Sequence, residues 1–304
     1  MSRTTSEGNA PVTLLVALFG LTRAAYYAAL QRLVSTNSTV VEAGVATARA
    51  ARTTAARFAS ATTVLAAIRT VVAAHPAWGV RKVWAMLRRE HDLQVGKKRV
   101  YALMKDAGLL LPADRHRLPS PLGTVAVEEP NRLWASDMTT VYTRLDGWVG
   151  VTPTIDCGCR SLLGCVTAIP QDALTLLASM REALEEQFGS RARVPDGLEW
   201  RTDHGPQFTG GDARDLCTEW NVEHTFAPIG RPTGNAVAER VIRTLKEEVL
   251  WVQDFDTVDD VRRAVDAWIP LYNQRRPHQA LKFRTPAEVR ALKLATLDVF
   301  AEAA

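Results

Sequence analysis

The chain has 304 residues, 47% of them hydrophobic, with 37 Lys and Arg against 33 Asp and Glu and a net charge of +4. That length supports two or three domains and a sizeable core. No stretch is long enough to span a bilayer, and the short apolar run at 12–21 lacks the basic start of a signal peptide, so a soluble, intracellular protein with no membrane partner is expected. The charge is unevenly spread: residues 1–118 hold 17 Lys and Arg against 6 Asp and Glu, and residues 119–304 hold 20 against 27. A basic front suits the phosphate backbone of nucleic acid, and an acidic rear suits metal capture. Of the cysteines at 157, 159, 165 and 217, none makes a C-x-x-C and three share one hairpin. That pattern argues against a zinc knuckle or disulfide framework and for reduced, partly buried thiols.

In chain order, residues 12–33 read as two short helices broken at Gly20, with Thr22 capping the second, so 1–34 form a helix-turn-helix-like segment. Residues 35–61, rich in Ala, Thr and Ser, are a linker or a helix. Residues 62–111 make a basic helical domain with helices at 62–74, 80–89 and 97–109. In the last of these, Val100, Leu103 and Met104 share an apolar face, while Lys97, Lys98, Arg99 and Lys105 are placed to meet phosphates or base edges. The alternative is a three-helix packing module with a solvated basic face. Pro112, Pro119, Pro121 and Pro130 mark 112–131 as an extended linker.

Composition then changes to a core at 132–255 and a helical extension at 256–304. Strands are expected at 133–143, 148–155 and 161–170, a helix at 172–188, a strand at 197–202, a helix at 213–220 and a strand at 222–226. A turn at 230–234 precedes helices at 233–251 and 258–273. Three antiparallel strands followed by alternating helices and strands is the order of an α/β, ribonuclease-H-like fold with a mixed five-stranded sheet.

Three acids stand out: Asp137 within a strand, Asp203 at a strand end before His204-Gly205-Pro206, and Glu239 on a helix, with 35 residues between the last two. Carboxylates arriving from two strands and a helix can hold a pair of hard cations roughly 3.5–4 Å apart, which clamps the attacking and leaving oxygens of a phosphoryl displacement. At 100° per residue, Arg243 and Lys246 share the outward face of Glu239, and Val241, Leu245 and Val249 face the sheet. Each acid also has a plainer reading. Glu239 and Arg243 could be an i, i+4 surface pair, and Asp203 could serve its own turn. Asp137, beside Trp134 and Met138, is the hardest to explain without a cation, because a buried unpaired charge is costly. Asp156 reads as a turn acid and His204 as structural.

These contexts resemble the catalytic core of retroviral-type integrases and bacterial insertion-sequence transposases, above all the larger reading-frame product of the IS-three family. The resemblance rests on Trp134-x-x-Asp137-Met-Thr, on 202–208, and on Gly234-Asn-Ala-x-x-Glu239. It continues through 244–248, Tyr272-Asn-x-x-Arg276-Pro-His278 and Thr285-Pro-x-Glu288, with an upstream match at Trp78-Gly-Val-Arg-Lys82 and 98–104. It implies a DDE transposase with Asp137, Asp203 and Glu239 as catalytic, metal-binding triad and two Mg²⁺ per site, Mn²⁺ substituting. It also implies DNA contacts from Arg81, Lys82, Asn235, Arg243, Lys246, Arg276 and His278, beside Lys97, Lys98 and Arg99. For Tyr272, Asn273, Arg276 and His278, packing of the last helix is an equal alternative. Implied partners are the element's terminal inverted repeats, target DNA, a second copy of the chain on DNA, and an upstream helix-turn-helix protein, fused or separate. The implied location is the nucleoid in a bacterial cytoplasm. A nuclease of the same fold and a non-catalytic DNA-binding regulator are the competing classes. Cys159 stands where the family commonly has Ser, and no His-His-Cys-Cys module precedes the core.

Overall fold

The structure, a computed structural model, describes residues 59–112, 127–169, 173–227 and 235–302. The chain divides into two compact units after Ser60, and the second, Ala61–Ala304, holds all but two of the described residues. The segment expected at 1–34, nearly all of 35–61, most of the Pro-rich linker and the turn at 230–234 lie outside the described residues.

Three helices come first: α1 (Ala61–Ala74), α2 (Val80–Arg89) and α3 (Lys97–Asp106). Their buried positions follow helical spacing, with Val64, Ile68 and Val71 on α1, Val83, Met86 and Leu87 on α2, and Val100 and Met104 on α3. Trp78, stacked under His75 at 3.8 Å, fills the corner between α1 and α2. α3 stops short of the expected residue 109. Gly108 takes φ +68°, and Leu109 N–H donates back to the Met104 carbonyl at 2.8 Å, a left-handed cap that ends the helix.

The sheet comprises β1 (Leu133–Ser136), β2 (Thr139–Thr143), β3 (Gly147–Asp156), β4 (Leu162–Ala168), β5 (Glu199–Thr202) and β6 (Glu223–Phe226). β3 runs antiparallel to β4 on one side and to both β1 and β2 on the other, while β1, β5 and β6 are parallel. The expected strand at 133–143 is thus two strands sharing one position, so the sheet has six strands where five were expected. Between β3 and the β1/β2 position the register does not slip: Ser136 pairs with Thr154 and Thr139 with Val151, leaving Asp137 opposite Pro153. Pro153 explains the break. Cys157 N–H donates to the Leu133 carbonyl, so the β3 donors that face this neighbour recur at 155 and 153. At 153 the donor is missing, and the strand opens at the acid.

Alternation along β1 sends Leu133 and Ala135 to one core and Trp134 to the other. The first core lies under α7 (Ala236–Leu245) and α8 (Val258–Pro270). The second lies under α4 (Ala173–Phe188) and α6 (Gly211–Trp220), which follows the one-turn α5 (Pro206–Thr209). The helices expected at 233–251 and 258–273 each end in a π-turn, at Lys246–Leu250 and Leu271–Arg275. Capping boxes at Thr257/Asp260 and Thr285/Glu288 start α8 and α9 (Pro286–Glu302).

The helical segment rests on the extension through charged and aromatic contacts. Arg89 forks onto Glu288 at 2.6 and 3.1 Å, Glu90 accepts from Arg275 at 2.9 Å, and Trp84 meets Phe283 edge-on at 5.3 Å. No helix among the described residues is long and apolar enough to cross a membrane.

Candidate active site

Strand register brings two of the acids level. Leu133 pairs with Glu199 and Ala135 with Arg201 on the parallel neighbour, so continuing the register sets Asp137 beside Asp203, one strand spacing of about 4.8 Å away. Both continue the alternation that points toward α7, since Trp134, Trp200 and Phe208 occupy the opposite core. Asp137 Oδ1 accepts from Met138 N–H at 2.8 Å, and Asp203 Oδ1 accepts from Gly205 N–H at 3.0 Å, which holds each carboxylate at the lip of its strand.

Asn235 brings in the third acid. Its side-chain amide is 7% exposed and donates to the Ser136 carbonyl at 3.1 Å, immediately before Asp137. Its own carbonyl accepts from Glu239 N–H at 3.1 Å. One residue therefore pins the first turn of α7 to the end of β1. Val241, Leu245 and Val249 are buried against the sheet, leaving Glu239 and Arg243 exposed on the other face.

The acids feel one another's charge. Burial pushes Asp137 from 3.8 up to about 6, and the charges of Asp203 and Glu239 push the same way, while Met138 N–H and Lys246 oppose them. Burial also raises Glu239. Clustered carboxylates that resist ionisation are what a divalent cation relieves. The donors are all carboxylate oxygens, which fits Mg²⁺. Among the described residues no three His, Cys, Asp or Glu side chains close into a ready-made cage. Mg²⁺ does not require one, because it takes one or two carboxylates and keeps several waters.

The cations expected on DNA divide into two groups. Lys98 and Arg99 are exposed on α3, and Lys97 lies over Trp84 and Phe283 at 4.4 and 5.1 Å. Arg81 donates to Gln279 at 2.8 Å at the surface. Lys246 is half-buried and Arg243 binds Glu247 at 2.8 Å, so the surface pair considered between Glu239 and Arg243 is not the one formed. Three others have partners or burial within the chain. Lys82 donates to Glu248 at 2.7 Å, Arg276 is 6% exposed and embraces the same carboxylate, and His278 is 8% exposed. His278 stands edge-on to Tyr272 with its pKa lowered by burial, then by Arg276, to about 3. Asn235 likewise faces inward. Asn273 clamps both backbone groups of Leu162 at 2.9 and 2.8 Å. Packing, the alternative reading of the 272–278 motif, is where these side chains are spent.

Sequence comparison agrees with this architecture. Models described as integrase core domain match residues 127–232 and 220–286, and one described as HTH-like domain matches 60–117. Transposase InsD for insertion element IS2A/D/F/H/I/K of Escherichia coli is 31% identical over 237 residues, covering 75% of this chain and 78% of that protein. The chain belongs to the IS-three family of insertion-sequence transposases. The corresponding protein of element IS2-9 from strain K12 is also 31% identical, with coverage of 75% and 76%. Similar solved structures include a simian T-cell lymphotropic virus intasome in complex with a PP2A regulatory subunit (TM-score 0.47, 15% identity, covering 68% of this chain and 73% of that one). Another is the catalytic core of BIV integrase (TM-score 0.41, 20% identity, covering 55% and 97%). Superpositions this partial add nothing to the fold already described.

Two structural hubs of this transposase do more than the sequence indicated. Glu248 accepts from Arg276, Lys82 and Trp268. Burial alone would raise its pKa, but Arg276 and Lys82 hold it down at about 2. The available signal was its place three residues after Leu245, on the buried face of the helix. Asp156, read as a turn acid, accepts from Gly158 N–H at 2.7 Å and Asn131 N–H at 2.8 Å, as that reading requires, and also binds Arg290 at 2.8 Å. All four cysteines are free, and burial pushes Cys157 and Cys165 up to about 12, as expected of inert, reduced thiols.

Proposed function

We propose that Asp137, Asp203 and Glu239 are the catalytic triad of this transposase and bind two Mg²⁺, with Mn²⁺ able to substitute. The observation that carries the reading is the opening of the sheet at Asp137, level with Asp203 and tied by Asn235 to the helix of Glu239. The cations would supply Lewis acidity and nucleophile activation. The chain's own residues do the rest. Asp137 and Asp203 sit about one strand spacing apart, a separation suited to bridging a metal pair. Lys246 offsets their negative field, and Lys98 and Arg99 offer an exposed basic surface on α3 for the DNA backbone. The reaction is hydrolysis at the element's end, followed by attack of the freed 3′-hydroxyl on a second phosphodiester, one P–O bond forming as another breaks. Bringing two terminal repeats together requires at least two copies on DNA. The place of action is the bacterial nucleoid, with an upstream helix-turn-helix protein as a further partner.

The test is strand transfer with labelled element ends in Mg²⁺ or Mn²⁺, comparing wild type with Glu239→Gln. Joined product from wild type alone is expected. Cleavage without joining would make the chain a hydrolase, and binding without cleavage in either protein would remove catalysis from this chain acting alone.

A further inference from the structure

The helix of Glu239 leads to an aromatic side chain that packing does not explain. Trp251 follows the π-turn Lys246–Leu250 and is 67% exposed, with Val252 beside it also exposed. Leaving an indole in water forgoes a large burial gain, and Trp is enriched where a surface meets a partner. The ammonium of Lys246 lies 5.8 Å from the centre of its ring. Lys246 is seven residues after Glu239, two helical turns on and on the same face. The π-turn adds a residue to the last turn and Trp251 N–H donates to the Lys246 carbonyl at 2.9 Å, which brings position 251 back under that lysine. A carboxylate, a cation and an open aromatic face therefore follow one another along one edge.

Location completes the argument. After Trp251 the chain runs parallel to β2: Phe255 bridges Thr143, and Arg144 N–H donates to the Phe255 carbonyl at 3.1 Å. Residues 251–253 turn before this bridge, and Lys246, against which Trp251 lies, is among the charges that act on the Asp137 carboxyl. Tyr142 and Trp148, also exposed, lie toward the hairpin tip and pack edge-on against each other at 5.5 Å. Trp251 offers its face under a cation.

We propose that Trp251 is a positioning residue that stacks an unpaired nucleobase of the cut DNA strand, while Lys246 holds the adjoining phosphate. An aromatic face with an adjacent cation is the general means of gripping a single-stranded nucleotide without reading its sequence. The proposal rests on the transposase reading of the acids, and the two can fail separately.

The experiment measures binding of element-end DNA, blunt or with a frayed terminal step carrying 2-aminopurine, to full-length protein in a Glu239→Gln background. Trp251→Ala is expected to weaken binding of frayed DNA about 5- to 150-fold, to leave blunt DNA within about twofold, and to abolish 2-aminopurine quenching. Trp251→Phe is expected to restore most of the affinity and the quenching. An unchanged melting temperature for the alanine variant separates stacking from fold support. Equal binding and quenching by Trp251→Ala and its parent would overturn the proposal and leave the triad untouched. Absence of DNA binding by the parent would overturn both.

Discussion

Glu248 is where the fold is most vulnerable to a single atom change. Glu248→Gln keeps the shape of the side chain but removes the charge that Arg276 approaches at 3.0 Å and Lys82 at 2.7 Å. Arg276 is too buried to find water, and the new amide turns donors toward donors. Removing one partner of a buried ion pair typically costs about 3–5 kcal/mol. The lower end applies if Lys82, a quarter exposed, swings out to solvent. At about 2–4 °C per kcal/mol the melting temperature should fall by roughly 6–20 °C. The pH response gives an independent check. The folded pKa of Glu248 is depressed to about 2 from 4.5. Its contribution is therefore full above pH 4.5 and is lost as pH falls toward 2, so wild type should lose its advantage over the variant across that window. Urea and thermal unfolding at pH 7 and pH 4, with Glu248→Leu/Arg276→Met alongside, test this. The double variant should recover much of the loss, because it strands no guanidinium and leaves only Lys82, a quarter exposed, to turn to solvent. A loss under about 1 kcal/mol, or a double variant as weak as the single, would refute the reasoning.

Asp137 carries the opposite sign. Its folded pKa is raised to about 6, so ionising it costs stability above that pH. In metal-free buffer Asp137→Asn should be more stable than wild type at pH 8, by at most about 3 kcal/mol, with the gap closing as pH falls through 6 toward 4. Thermal melts with and without Mg²⁺ check it, and a gap that ignores pH would be the wrong answer. Asn235→Ala should lower strand transfer more than tenfold while costing only about 1–3 kcal/mol of stability, measured by joining assays and urea titration. An active variant would show that the Ser136 link does not set the site. Gly158→Ala should cost several kcal/mol or prevent soluble expression, because the added carbon would sit 2.0 Å from the Glu129 carbonyl oxygen. A stable variant, seen in the same melts, would mean that the 129–130 backbone yields easily.

Local chemistry carried much of this structure. Helix faces such as Val100/Met104 and Val241/Leu245 follow from 3.6-residue spacing, and the Thr257 and Thr285 caps from side chains that reach their own backbone three residues on. The strand positions followed from strand and turn signals, except the break within 133–143, and the three acids from their distinct strand and helix settings. What one-dimensional spacing does not encode is which distant group meets which. The break at Asp137 depends on Pro153 across the ladder. The fate of Lys82, Arg276 and His278 depends on Glu248 arriving from another helix, so cations that read as DNA contacts become internal partners. Sequence by itself determined most of the elements and the residue types able to do phosphoryl chemistry, because those depend on neighbours within a few positions. Only the tertiary structure decided which charges face solvent and which are spent on holding the helical segment to the core, because burial and pairing are properties of contacts between residues far apart in the chain.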